Sequence, residues 1–185
     1  ICSIALEYAP RTQSIYSDLG FILLGFILED AASASAGYTG TAGSFDPAGS
    51  LAGQFQHFMS FITYEPLTFN PPRGWRDRIA PTEIDPWRGR LLTGEVHHEN
   101  AWALRGAAGH AGLFGTAAAV GAFARATLRT LSGVSIIASP DTVRLFTRRT
   151  EVPHSSRALG WDTMLATSSC GSRLTATAIG HTGFT

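Results

Sequence analysis

The most apolar stretch of the chain, Leu19 to Leu28, has no polar face. A helix that is apolar all round belongs in a core, and this run is too short to span a bilayer. The pattern predicts a buried helix, capped by Asp18 and regaining solvent at Glu29 and Asp30. Residues 31–50 are rich in Ala, Ser, Gly and Thr without a period, which reads as a flexible insertion. From Leu51 the period returns: Leu51, Phe55, Phe58, Met59 and Ile62 fall on one helical face, and Pro66 ends that helix. Residues 66–98 carry Pro66, Pro71, Pro72, Pro81 and Pro86 and little periodicity, the mark of a long functional loop wrapping over a site. A short helix is predicted over Glu99–Leu104, then a glycine-dense loop from Gly106 to Gly115. Thr116 caps the next helix, on which Val120, Phe123, Ala124, Thr127, Leu128 and Leu131 share a face. Ser139-Pro140-Asp141 starts another, with Val143 and Phe146 facing inward. Residues 157–163 look extended, and the alternation of Leu174, Ala176 and Ala178 with Arg173, Thr175 and Thr177 has strand period. Helices and loops first, strands last, is an α+β order within one partial domain.

Composition narrows the function classes. With 44% hydrophobic residues and 15% charged ones, 185 residues can bury a core. Fourteen cations balance fourteen acidic residues, which argues against a nucleic-acid partner recognised through a basic field. All fourteen cations are arginine. The chain has no lysine, so a P-loop, a Schiff base and a Ser-x-x-Lys nucleophile are all excluded within it. Cys2 and Cys170 lack C-x-x-C spacing and read as two free thiols. A first residue that is not Met, and an end just after a His-Thr-Gly run, read as a fragment of a longer protein. No transmembrane segment is expected in it.

Three chemistries can be built from residue types. Glu95, His97, His98 and Glu99 cluster, with His110 further on, but the H-E-x-x-H and H-x-E…C-x-x-C spacings are absent. A polar turn with surface histidines is the simpler reading, and no metal or other cofactor is expected. A Ser-His-Asp set would draw on Ser17, Asp18, Ser168, Ser169 and His181, yet there is no G-x-S-x-G elbow. The third reading pairs Tyr16-Ser17-Asp18, at the mouth of the apolar helix, with His181-Thr182-Gly183, at what looks like a strand start.

The spacing and order of these two motifs resemble the serine β-lactamase and penicillin-binding-protein-like superfamily. The nearest branch holds class C β-lactamases, D-peptidases and β-lactamase-like esterases. Tyr16 to Gly25 resembles the Tyr-x-Asn/Asp motif and the helix after it. Glu65-Pro66-Leu67, Ala80 to Glu83, Gly94 to Ala101 and Ala108 to Phe114 are similar to further motifs of a subgroup. Gly180 to Thr185 is similar to the Lys-Thr-Gly motif in a His-Thr-Gly form. The resemblance spans the chain except for roughly residues 31–50.

The resemblance implies acyl transfer: a serine of a Ser-x-x-Lys box attacks a carbonyl and forms an acyl-enzyme. That box would lie before Ile1. Tyr16 would take the serine proton and return it to the leaving group. Free tyrosine has a pKa near ~10 and needs nearby cations to act as a base. His181 would line the opposite wall, and its titration would make activity sensitive to pH. Asp18 would orient the site or the substrate amide, Thr182 and Gly183 would hold the wall, and the Phe184 N–H would be one oxyanion donor. His110 would stand at the rim or behind the site. The implied partner is a small-molecule or peptidoglycan-derived substrate, in the bacterial cell envelope or the cytoplasm. A non-catalytic relative that binds peptidoglycan-type ligands is the alternative. Three positions depart from the pattern. His98 stands where the subgroup has Asp, a glycine expected near Arg105 is missing, and Asp18 replaces the β-lactamase Asn, which can donate as well as accept. Because the family's sheet draws on both chain ends, open strand edges and marginal stability are expected of the isolated chain.

Overall fold

The computed structural model describes residues 1–35, 49–168 and 173–183. Phe184 and Cys170 lie outside the described residues, as does most of the predicted insertion. The chain forms two compact units, one of Ser17–Ala124 with Ile1, the other of residues 2–16 and 125–185.

In the first unit, helix α1 covers Asp18–Ser35, so residues 31–35 continue the helix that the sequence pattern ends at Glu29 and Asp30. It is not a buried helix. Ile22 is buried, but Leu24, Phe26, Ile27 and Leu28 are 42–52% exposed. An all-round apolar helix needs neighbours on every side, and here the described residues cover only the Ile22–Gly25 stripe. Helix α2, Leu51–Ser60, starts where Ser50 accepts a hydrogen bond from the Gly53 N–H at 3.1 Å. It ends well before Pro66, and Ile62 packs on the core from beyond its last turn. Glu29 accepts from the Leu51 N–H at 2.7 Å and so ties α1 to the start of α2.

The proline-rich segment is built of short elements. Strand β1 is Leu67–Phe69, followed by a 3₁₀ helix, Arg73–Arg78, and by β2 (Ile84–Asp85) and β3 (Arg90–Leu91), which pair antiparallel. Helix α3 is Glu99–Ala103, and the glycine-dense loop runs into β4, Leu113–Gly115. β4 pairs antiparallel with β1, Thr68 opposite Phe114. Met59, Leu67 and Ala119 form one core, with Phe55, Phe58, Ile62 and Phe123 against it. A second core joins Val96, Ala101 and Ala108, with Leu104 and Ala111 at its margin.

Helix α4, Ala117–Leu131, begins where Thr116 accepts from the Ala119 N–H, as its capping residue predicts. Its buried stripe matches the expected one only in part: Thr127 and Phe123 turn inward as expected, but Val120, Ala124 and Leu128 do not. Ala119, Ala126, Thr127 and Thr130 are buried, whereas Val120 and Leu128 are exposed. Small residues permit close approach, so the inward face is the one with less bulk. The unit boundary falls within α4, after Ala124.

In the second unit the Thr130 hydroxyl donates to Ala126 O and accepts from the Ile136 and Ile137 N–H groups. Helix α5, Pro140–Thr147, is capped by Ser139 as predicted, with Val143 buried but Phe146 exposed. β5 (Asp162–Thr163) pairs antiparallel with β6 (Ile179–Gly180). The strand expected over 173–179 is confined to its end. Residues 175–178 form a turn closed by the Ala178 N–H on Thr175 O, because alternation cannot make a strand without a partner to pair with. His181-Thr182-Gly183 therefore follows the end of a strand instead of starting one.

Candidate functional site

The predicted site residues fall into two groups. The first is built on Asp18, the opening residue of α1. Its carboxylate does not cap the helix. It meets His98 Nε2 at 3.0 Å, and His98 Nδ1 meets His110 Nε2 at 3.3 Å. The two imidazoles stand edge to face, with centroids 4.5 Å apart. All three side chains are part-buried.

Backbone construction explains the convergence. His98 sits just before α3, between Val96 and Ala101, and His110 sits between Ala108 and Ala111. Those four residues share the second core, so its packing sets both histidines. Gly109 presses on α1: an added Cβ would lie 2.1 Å from Phe21 O. Gly112 has φ +111°, and a Cβ there would lie 2.2 Å from Gly106 O. Both glycines are required for the loop to bring His110 to the start of α1.

Arg88 secures the other side. Asp85 accepts from the Arg88 N–H at 2.7 Å and from its guanidinium at 2.6 Å. The same guanidinium reaches Glu95 at 3.0 Å, Val96 O at 2.8 Å, and His97 O. Arg90 also pairs with Glu95. The side chains of Arg88 and Asp85 are only 8% and 2% exposed, so this is a buried pair with its hydrogen bonds made. It pins the carbonyls immediately before His98. The Asp85 carboxyl is held below its ordinary range, chiefly by the Arg88 N–H, with the guanidinium adding to it against burial. Burial pushes Glu95 up, but hydrogen bonds from Arg90 and Arg88 bring it below its ordinary value. His110 is lowered, first by burial and then by His98, with Asp18 opposing.

The second group lies in the other unit. Tyr16 and His181 face each other with ring centroids 6.1 Å apart. Between them stands Arg157, which the sequence reading did not single out beyond the start of an extended stretch. Its guanidinium lies 5.3 Å from the centre of the Tyr16 ring, pairs with Asp162 at 3.0 Å and reaches His181 Nε2 at 3.5 Å. A guanidinium only donates, so Nε2 accepts and the imidazole carries its proton on Nδ1, which donates to Thr182 O at 2.6 Å. Tyr16, His181, Thr182 and Gly183 are all exposed. An open groove of about 280 Å³ in this unit, lined by Thr147, Arg149, Thr163 and residues 176–179, includes neither Tyr16 nor His181.

The sequence of the chain has counterparts among known proteins. The family model described as Beta-lactamase matches residues 1–185, and the chain belongs to that family. A protein of Salmonella gallinarum (strain 287/91 / NCTC 13346) is 29% identical over 185 residues, covering 97% of this chain and 42% of its own length. One of Escherichia coli (strain K12) is 28% identical over 204 residues with the same coverage. Both bear the name "Putative D-alanyl-D-alanine carboxypeptidase". The chain thus spans less than half the length of these relatives. No solved structure shows a significant match to it. Among the described residues, no helix is long and apolar enough to cross a membrane.

Proposed function

We propose that the chain is the central and late part of a serine hydrolase that cleaves an amide or ester through an acyl-enzyme. The nucleophile comes from a Ser-x-x-Lys box outside these 185 residues, which contain no lysine. A peptidoglycan-derived peptide ending in D-alanyl-D-alanine is the favoured substrate, because the relatives' name specifies that cleavage. The observation that carries the reading is the grouping of Tyr16 with Arg157 and His181. With the Arg157 guanidinium over its ring, Tyr16 is the residue that would act as the phenolate base toward the serine proton.

In this mechanism the serine oxygen attacks the carbonyl carbon and its proton passes to the Tyr16 phenolate. The carbonyl–nitrogen bond then breaks, the departing amine takes that proton from Tyr16, and the serine is left as an ester. Water attacks the ester, its proton passing through Tyr16 back to the serine oxygen as the acid leaves. His181, held by Arg157 and Thr182 O, lines the site. Thr182 and Gly183, which follow His181, hold the wall, and by the family resemblance the next N–H in the chain, that of Phe184, stabilises the oxyanion. A serine-reactive fluorophosphonate should label the whole protein stoichiometrically, and Tyr16→Phe should cut turnover at least ~100-fold, the scale of a lost acid–base group. No labelling of the folded protein would sink the proposal and leave a binder of peptidoglycan-type ligands.

A further inference from the structure

We infer that Asp18, His98 and His110 bind a divalent first-row transition cation of the zinc class. One ligand atom from each residue lies within 4.8 Å of the other two. Zinc bonds to imidazole nitrogen and carboxylate oxygen are about 2.0–2.2 Å long, which sets ligand–ligand edges of roughly 3.3 Å in a tetrahedron. Small side-chain rotations close that difference. Two imidazoles and one carboxylate suit zinc, cobalt or nickel, whereas magnesium and calcium favour all-oxygen sets. Three protein donors leave a position of a tetrahedral ion for water or a small ligand.

Protons alone satisfy the cluster poorly. With both rings neutral, His98 Nε2–H must donate to Asp18, because a bare nitrogen 3.0 Å from a carboxylate would repel it. His98 Nδ1 then accepts from His110 Nε2–H, which leaves His110 Nδ1 as an acceptor. That atom is buried and has no hydrogen-bond partner among the described residues. An unmade hydrogen bond at a buried acceptor is a standing cost. A cation on one nitrogen of each ring replaces these single-proton bridges, and with Nε2 as the His110 ligand its Nδ1 carries the ring proton. Convergence does not depend on the ion, since the second core and Gly109 already bring the three side chains together. Proton-only bonding would make the same three residues a relay with no affinity for metal, and the experiment separates the two.

The inference stands apart from the hydrolase proposal, because its readout is metal binding. The whole protein, stripped with a chelator, would be titrated with Co²⁺ and followed by its visible absorption, then by displacement with Zn²⁺. One equivalent should bind with an intense band of low-coordinate cobalt. His98→Ala and His110→Ala should each weaken binding by more than the ~10–100-fold typical of a merely supporting residue. His57→Ala, on the exposed side of α2, should leave it unchanged. Ring ¹H–¹⁵N spectra of the unsubstituted protein should show His98 and His110 shifting with Zn²⁺, a readout that needs no variant to fold. Absence of stoichiometric binding, or binding that leaves both ring signals in place, would overturn the inference.

Discussion

The two groups of candidate residues are held in contrasting ways. Asp18, His98 and His110 come from three segments that the main chain itself positions: the first turn of α1, the loop before α3 whose carbonyls Arg88 grips, and a loop that two glycines press into place. Tyr16 and His181 lie in segments without regular structure, and the Arg157 side chain reaches both. The first arrangement is preorganised by backbone and core. The second depends on a guanidinium. The contrast teaches that the same kind of substitution should read out as stability in one region and as function in the other.

The sharpest way to break the comparison is Arg88→Ala. It strands the buried Asp85 carboxylate and frees the carbonyls of Val96 and His97. Losing one partner of a buried pair is strongly destabilising, and the melting temperature should fall by roughly 10 °C. A fall of less than a few degrees would show that the clamp is not what fixes the first group.

Next in size is Gly109→Ala, whose Cβ would collide with Phe21 O. Overpacking against backbone costs about 1–3 kcal/mol, to be read from denaturant midpoints. An unchanged midpoint would mean that the loop can leave α1 without penalty.

Arg157→Ala should leave the melting temperature within a few degrees but lower turnover of the whole protein at least ~10-fold, with Arg157→Lys restoring part of it. Equal loss of stability and of turnover would erase the contrast between the regions.

The acid limb of stability should belong to the first region. Asp85 and Glu95 are held below their ordinary values, so their contribution is complete above about pH 4 and is lost as pH falls through the lowered folded values. Melting temperature against pH should therefore be flat from neutrality to about pH 5 and fall below pH 4, more steeply than in Arg88→Ala. A decline already complete by pH 5 would point to other groups.

The smallest effect is expected for Arg144→Ala, whose pair with Asp141 is exposed on α5. Such pairs contribute about 0–1 kcal/mol, so only a marginal shift should be seen.

What could be read from the sequence was what neighbouring residues decide. Ser139-Pro140 and Thr116 mark helix starts because a hydroxyl needs only the next turn's N–H groups, and both caps formed. The period of α2 and the short α3 were legible for the same reason. The Tyr16 and His181 motifs pointed to the family. The errors lie where a partner distant in sequence decides. Alternation over 173–178 met no pairing strand among the described residues, while β1 and β4 pair across the proline-rich segment with no local sign of it. His98 read as a departure from a pattern and His110 as a rim residue. Their meeting with Asp18 joins positions 80 and 12 residues apart. Arg88 and Arg157 carried no signal at all, since an arginine reveals its role only through what surrounds it.

By itself the sequence determined the starts of α4 and α5 with their caps, the lack of any lysine, and membership of an α+β hydrolase-like family. Those follow from local hydrogen bonding, periodicity and residue identity. Only the tertiary structure decided which face of α4 is buried, that α1 is largely exposed among the described residues, and that Asp18, His98 and His110 converge. Burial and convergence depend on the packing of distant segments, and a linear pattern does not carry that information.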